Sequence, residues 1–224
     1  MQNYSIIETK ERIQADNELE AAKTREQLRN TGTFFVNVMG SPGAGKTSVI
    51  VNIIKRLSSR YRIGVMEADV DHDVDAKTIS ATGAKVIQLH TGGLCHMDAD
   101  MTKRGLDALG TEDLDIVFLE NVGNLVCPAE FDTGSNISVM ILSVPEGDDK
   151  PLKYPLMFKV SDCLLVNKID ALPVFDFSIE ALRERVAVLN DHIVIFPVSA
   201  KEEDGFDPFA EWSENKISDW RKSE

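Results

Sequence analysis

The chain has 224 residues, 43% of them hydrophobic, enough for one sizeable α/β core and cramped for two. A formal charge of −13 excludes a general nucleic-acid binder, which would concentrate Lys and Arg against phosphates. Three cysteines without framework spacing exclude a disulfide scaffold, and neither a signal peptide nor an apolar run of membrane-spanning length is present, so the expected location is cytoplasmic.

From about Ile6 to Asn30 the sequence is rich in Glu, Lys, Arg and Ala without Gly or Pro. Ile6, Ile13, Ala21 and Leu28 form a thin apolar stripe at helical spacing. Residues 1–31 are therefore expected to form a leading helix packed on a single domain of residues 32–224. Thr33–Met39 reads as a buried strand and Ser48–Leu57 as an amphipathic helix. Between them, Gly40-Ser41-Pro42-Gly43-Ala44-Gly45-Lys46-Thr47 fits G-x-x-x-x-G-K-[ST], the phosphate loop of P-loop NTPases. Its glycines let backbone N–H groups wrap an anion, and the helix opening at Ser48 aims its dipole at the same point. Lys46 is placed for the β- and γ-phosphates, and the Thr47 hydroxyl for Mg²⁺.

Arg62–Ala68 is a second strand running into the acidic segment Asp69–Asp75, at the strand end where open α/β sheets bind ligands. Val86–His90 is a short strand; Asp98 caps a helix after the loop Thr91–Met97. Asp115–Glu120 is a continuous apolar run typical of a central parallel strand, and Ile137–Val144 and Cys163–Val166 repeat it. Pro145–Pro155 reads as a charged loop, Ser178–Leu189 as a helix, Ile193–Val198 as a strand and Asp207–Trp220 as a closing helix. The alternation predicts a mostly parallel central sheet with helices on both faces.

The Cys163 strand ends in Asn167-Lys168-Ile169-Asp170. One carboxylate, Asp170, can accept from both the N1–H and the exocyclic amine of guanine, a pair adenine lacks; Asn167 braces the loop and the stem of Lys168 lies along the purine. Ser199-Ala200-Lys201 follows where GTP-binding domains offer a backbone N–H to the guanine oxygen. Glu120-Asn121-Val122-Gly123 stands where ordinary GTPases read Asp-x-x-Gly, with Glu120 for the metal and the Gly123 N–H for the γ-phosphate; Asn124 follows where signalling GTPases often carry glutamine. GTP is the expected nucleotide.

Together with Thr91-Gly92-Gly93-Leu94-Cys95-His96 and Asn124-Leu125-Val126-Cys127-Pro128, these motifs make the chain resemble, from about residue 32 to the end, the HypB family of hydrogenase nickel-incorporation GTPases. The resemblance implies a metallochaperone that hydrolyses GTP and assists nickel insertion into the [NiFe]-hydrogenase large-subunit precursor. It also implies homodimerisation through the nucleotide-binding face and a HypA-type nickel chaperone as partner. Cys95, His96 and Cys127 would carry Ni²⁺ or Zn²⁺ at the dimer interface, and Asp75 would join Thr47 and Glu120 around Mg²⁺. Many members also begin with a Cys-x-x-Cys-Gly-Cys motif or carry a histidine-rich stretch. Neither is present in these residues, which leaves nickel to the internal site or to the partner.

On the residues alone, Cys95 and Cys127 read equally as metal ligands or as small buried hydrophobes. Adjacent Cys95 and His96 are expected to project apart, leaving a second subunit or water to complete a metal's shell. Cys163, His90 and His192 read as core; His72 lies among carboxylates; Lys153 is a candidate for reaching a phosphate across a dimer, or an ordinary surface lysine. The alternative functions are a related chaperone for urease or a cobalamin enzyme, a small-molecule P-loop kinase, which has no use for the Asn167–Asp170 motif, and a nickel store, which calls for a larger His or Cys cluster.

Overall fold

The computed structural model describes residues 9–69 and 74–223. The expectations placed on Ile6, on the Ile13 side chain, and on Val70, Asp71, His72 and Asp73 fall outside the described residues.

Among the described residues, seven strands form one sheet: β1 (Phe34–Gly40), β2 (Ile63–Asp69), β3 (Lys85–His90), β4 (Ile116–Glu120), β5 (Ile137–Ser143), β6 (Cys163–Asn167) and β7 (Val194–Pro197). Their order is β3-β2-β4-β1-β5-β6-β7 and every pairing is parallel. The central strands are buried along almost their whole length, as their apolar runs require when helices cover both faces. Alternate residues of β1 show the two faces. Phe34, Val36 and Val38 pack with α2 (Lys46–Leu57) and with Phe206, Phe209 and Ile217 of the closing helix Phe206–Lys222, while Phe35 packs with Leu28, Leu106 and Leu109 on the other side.

The leading helix α1 (Thr9–Thr31) ends at Gly32, whose φ of +72° only glycine adopts without strain. Fully buried Ala21 and Leu28 seat it, Arg25 grips Asp132 at 2.6 Å, and Asn17 accepts from the Ala99 N–H that opens α4 (Ala99–Leu109). Asp98 caps that helix as expected, accepting from the Met101 N–H at 2.8 Å.

Three readings are corrected. Pro145–Pro155 is not a loop: it holds a 3₁₀ turn at Val144–Glu146 and a helical turn at Lys150–Lys153, and Pro155 itself begins another at Pro155–Lys159, with prolines at the first helical positions where a missing N–H costs nothing. His90 and His192 are exposed rather than core, because β3 and β7 are the edge strands and both histidines stand at or beyond their ends. The acidic segment also continues into a helix, α3 (Val74–Ser80), that its charge concealed. No helix among the described residues is long and apolar enough to cross a membrane.

If α1 is part of the folded unit, Leu28→Ala will lower stability by about 2–5 kcal/mol, the usual cost of emptying a buried leucine site. A urea titration followed by tryptophan fluorescence would show this as an earlier single transition; an unchanged midpoint would mean that α1 is an appendage.

Candidate functional site

The C-terminal ends of β1, β2 and β4 meet at one edge of the sheet, and the phosphate loop arches over it. Gly40 leaves β1 so close to β5 that a Cβ would sit 2.6 Å from the Ile141 carbonyl oxygen. Gly45, at φ +93°, precedes α2, and a Cβ there would sit 2.5 Å from Asn167 Nδ2. Both positions need glycine for the backbone to approach its neighbours. Lys46 is mostly buried, its Nζ 3.4 Å from the Ser41 carbonyl inside the loop; Thr47 donates its hydroxyl to Glu120 Oε1 at 2.9 Å.

Opposite the loop stand two carboxylates. Glu67 of β2 pairs in register with Glu120 of β4, both are almost fully buried, and the Oε2 of each has no hydrogen-bond donor from the protein. Burial, reinforced by Glu120, Asp69 and Asp75 and only partly offset by Lys46, pushes Glu67 up to about 8. Burial likewise lifts Glu120 to about 7 against the pull of Lys46 and Thr47. Asp69 and Asp75, the latter in the first turn of α3, complete a cleft of about 310 Å³ that also includes Pro42, Gly43 and Gly123. Buried oxygens lacking donors, beside a hydroxyl and further carboxylates, are the donor set a hard divalent cation such as Mg²⁺ takes. Glu67 was read as the end of a strand and the start of the acidic segment Glu67–Asp75, with no role of its own. Its signal was available: an acid at the C-terminal end of an otherwise apolar parallel strand.

Asn167 holds the loop from the far side. Its Nδ2 donates to the Ala44 carbonyl at 2.9 Å and its Oδ1 accepts from the Ala200 N–H at 3.0 Å, while Lys168, at φ +63°, donates to the Gly43 carbonyl at 2.6 Å. Asp170 accepts from the Ser199 hydroxyl at 2.5 Å, and Asn52 joins the Ser48 and Ala200 carbonyls. Lys201 lies at the surface against Glu202, and Lys153 pairs with Asp149 one turn back at 2.5 Å.

Cys95, His96 and Cys127 converge: their ligand atoms lie within 4.8 Å of one another. The sulfurs of Cys95 and Cys127 are 2.7 Å apart, and Cys95 Sγ is 3.8 Å from His96 Nδ1. The expected divergence of adjacent Cys95 and His96 does not occur, because the chain bends at Cys95 and His96 themselves and is not extended there. His96 stacks on Phe131 at a centroid distance of 3.9 Å. Cys95 is exposed and the other two are half-buried. Burial holds the His96 imidazole below its ordinary range, with Asp98 and Glu130 opposing. The hydrogen bond shared with Cys95, then burial, raises the Cys127 thiol. Cys127 begins a short helical turn three residues after Asn124, whose N–H donates to the Gly40 carbonyl at 3.1 Å, so the cluster hangs from the chain that borders the phosphate loop. Cys163 is fully buried in β6, and burial raises its thiol.

Residues 34–197 match the model of the CobW/HypB/UreG nucleotide-binding domain. The hydrogenase maturation factor HypB of Rhizobium leguminosarum bv. viciae is 42% identical over 214 residues, covering 96% of this chain and 72% of that protein. The crystal structure of HypB from Helicobacter pylori in complex with nickel superposes with a TM-score of 0.86 at 34% identity, covering 91% of this chain and 96% of that one. HypB from Archaeoglobus fulgidus gives 0.84 at 35% identity, with 91% and 99% covered.

The raised carboxylates fix a pH dependence. A folded-state value above the unfolded one means that the native protein holds the proton more tightly, so stability falls as pH rises from the unfolded value of 4.5 through about 7 and about 8. In chelator, with no nucleotide, the thermal midpoint is expected to drop between pH 5 and pH 8, and Glu67→Gln to flatten that drop. A slope identical in the variant would show that the acidic surface, not this pair, sets the dependence.

Proposed function

This chain belongs to the HypB branch of the CobW/HypB/UreG family, and from that premise we propose that it is a GTP-hydrolysing metallochaperone that assists nickel insertion during [NiFe]-hydrogenase maturation. The observation that carries the reading is the convergence of Cys95 and His96 on Cys127, whose chain segment borders the phosphate loop.

In this reading the loop N–H groups and Lys46 bind the phosphates and stabilise the charge that shifts as the γ-phosphoryl leaves, while the Gly123 N–H faces the same group. Thr47 and Glu120, with Asp75 beside them, would hold Mg²⁺, which would supply neutralisation of phosphate charge. Asp170 is aimed by Ser199 and accepts from the guanine edge, and the Asn167 and Lys168 bonds fix base site and phosphate site relative to each other. Catalysis is then largely positioning. This two-ended clamp favours a GTPase over a small-molecule kinase.

Nickel is cargo. Two thiols and an imidazole suit Ni²⁺ or Zn²⁺. Leu94 and Val126, each about half exposed at 50% and 49%, are apolar neighbours of Cys95 and Cys127, which supports a GTP-dependent homodimer closing over the metal. A HypA-type chaperone would donate the nickel and the hydrogenase large-subunit precursor receive it. For the nucleotide to gate release, its two states must differ in metal affinity.

The test is nickel affinity by chelator competition with GDP and then with a non-hydrolysable GTP analogue. The expected result is a difference of about tenfold, or roughly 1.4 kcal/mol, abolished by Cys95→Ala or Cys127→Ala. Equal affinity in both states would remove the gating role. Hydrolysis of ATP as fast as GTP, or an Asp170→Ala variant still selective for GTP, would remove the base assignment.

A further inference from the structure

Asn121 lies between the nucleotide cleft and the metal cluster, and no accessible surface touches it. It follows Glu120 directly and stands two residues before Gly123. Its Oδ1 accepts from two amides at once, Met97 at 3.2 Å and its own neighbour Val122 at 2.9 Å. Its Nδ2 donates to Asn37 Oδ1 on β1 at 3.1 Å, and its backbone N–H donates to the Val38 carbonyl at 2.9 Å. Met97 is the residue after His96. Its side chain is 1% exposed and packs in the same apolar cluster as Leu119 and Val122.

A buried carboxamide whose oxygen and nitrogen are both engaged is a rigid joint. Here the joint has one arm on the strand that feeds the phosphate loop, one on the backbone leading to Gly123, and one on the chain carrying Cys95 and His96. Because a single oxygen is shared between Val122 and Met97, any re-aiming of Val122–Gly123 changes the hold on Met97. A Cβ on Gly123 would lie 3.0 Å from Pro42, so the Gly123 backbone is already pressed against the phosphate loop and has little freedom to absorb a displacement locally. The neighbouring Asn124 works in parallel on the other ligand. Its Oδ1 accepts from the Val126 N–H at 2.8 Å and its side chain bonds the Cys127 thiol.

We propose that Asn121 is a positioning residue that transmits nucleotide state to the metal loop through its shared bonds to Val122 and Met97. The proposal rests on the function given above and adds the residue through which the two sites communicate. It makes no contact with nucleotide or metal its basis; what it sets is the position of the Cys95–His96 segment relative to Cys127.

The test uses full-length, metal-free protein labelled with ¹⁵N at its seven methionines, the Met97 amide being assigned with Met97→Leu. Its resonance is recorded with GDP and with a non-hydrolysable GTP analogue, in wild type and in Asn121→Ala. The expected result is a Met97 shift that depends on nucleotide in the wild type and no longer does in the variant, with GDP affinity changed less than about threefold. Nickel competition should then give affinities in the two states that agree within about twofold for the variant. Because Asn121→Ala orphans Asn37 Oδ1, Asn37→Ala/Asn121→Ala, which leaves neither member of that pair, guards against simple misfolding and should show the same loss. A wild-type Met97 resonance indifferent to nucleotide, or a variant that keeps both the shift and the nickel ratio, overturns the proposal. A wild-type resonance that responds while nickel affinity does not would uphold the mechanical link and sink the metal-gating function instead.

Discussion

Glu67 and Glu120 are buried side by side on adjacent parallel strands, and the site is built around the cost of that pairing. Two carboxylates out of water cannot both ionise without compensation, and Lys46 with the Thr47 hydroxyl offsets only part of the repulsion that Asp69 and Asp75 add. The sheet order causes the pairing, because β4 is inserted between β1 and β2 and brings the β2 acid into register with the β4 acid beside the phosphate loop. Such a site is least comfortable when empty at neutral pH. A divalent cation would draw both carboxylates back toward their ionised forms, so cation and nucleotide binding would act on the stability of the whole domain as well as on the chemistry.

The other fixed point is the clamp between Asn167 and the phosphate loop. A lone Asn-Lys-x-Asp motif suggests base recognition, yet in the folded chain three of its bonds are internal: Asn167 to Ala44, Asn167 to Ala200, and Lys168 to Gly43. The room for them exists because Gly45 has no side chain. The two ends of the nucleotide site therefore position each other before any ligand arrives, which is the preorganisation that makes electrostatic stabilisation inexpensive at the moment of reaction.

Much of this was legible because it is local. A strand, a glycine loop and a helix in order give the phosphate site; Asp98 before an apolar period gives a helix start; unbroken runs such as Ile116–Leu119 give central strands. What escaped depends on partners distant in sequence. The burial of Glu67 follows from strand order, which no window of residues contains. His90 and His192 resembled core residues until the sheet placed their strands at its edges. The helical turns at Lys150–Lys153 and Pro155–Lys159 were masked by prolines that break longer helices but open short ones. The convergence of Cys95 with His96 depends on a bend at those two residues that the letters permit without dictating. Asn121 was visible only as a variable position inside a motif. Its neighbours on Met97 and Asn37 come from strands and loops far along the chain.

The proton state of the thiol cluster bears on whether it stores metal or hands it on. Cys127 is raised by the bond it shares with Cys95 and by burial, and burial lowers His96, so near neutral pH the cluster favours a protonated thiol beside a neutral imidazole. A metal entering it finds the imidazole ready but must displace a proton from sulfur, and the work of doing so subtracts from affinity. Three ligand groups with one exposed member would also leave positions on an ion open to an incoming donor. Both features would weaken retention and favour exchange, as the proposed carrier role requires. A store would need lower thiol values, more ligands and a closed shell.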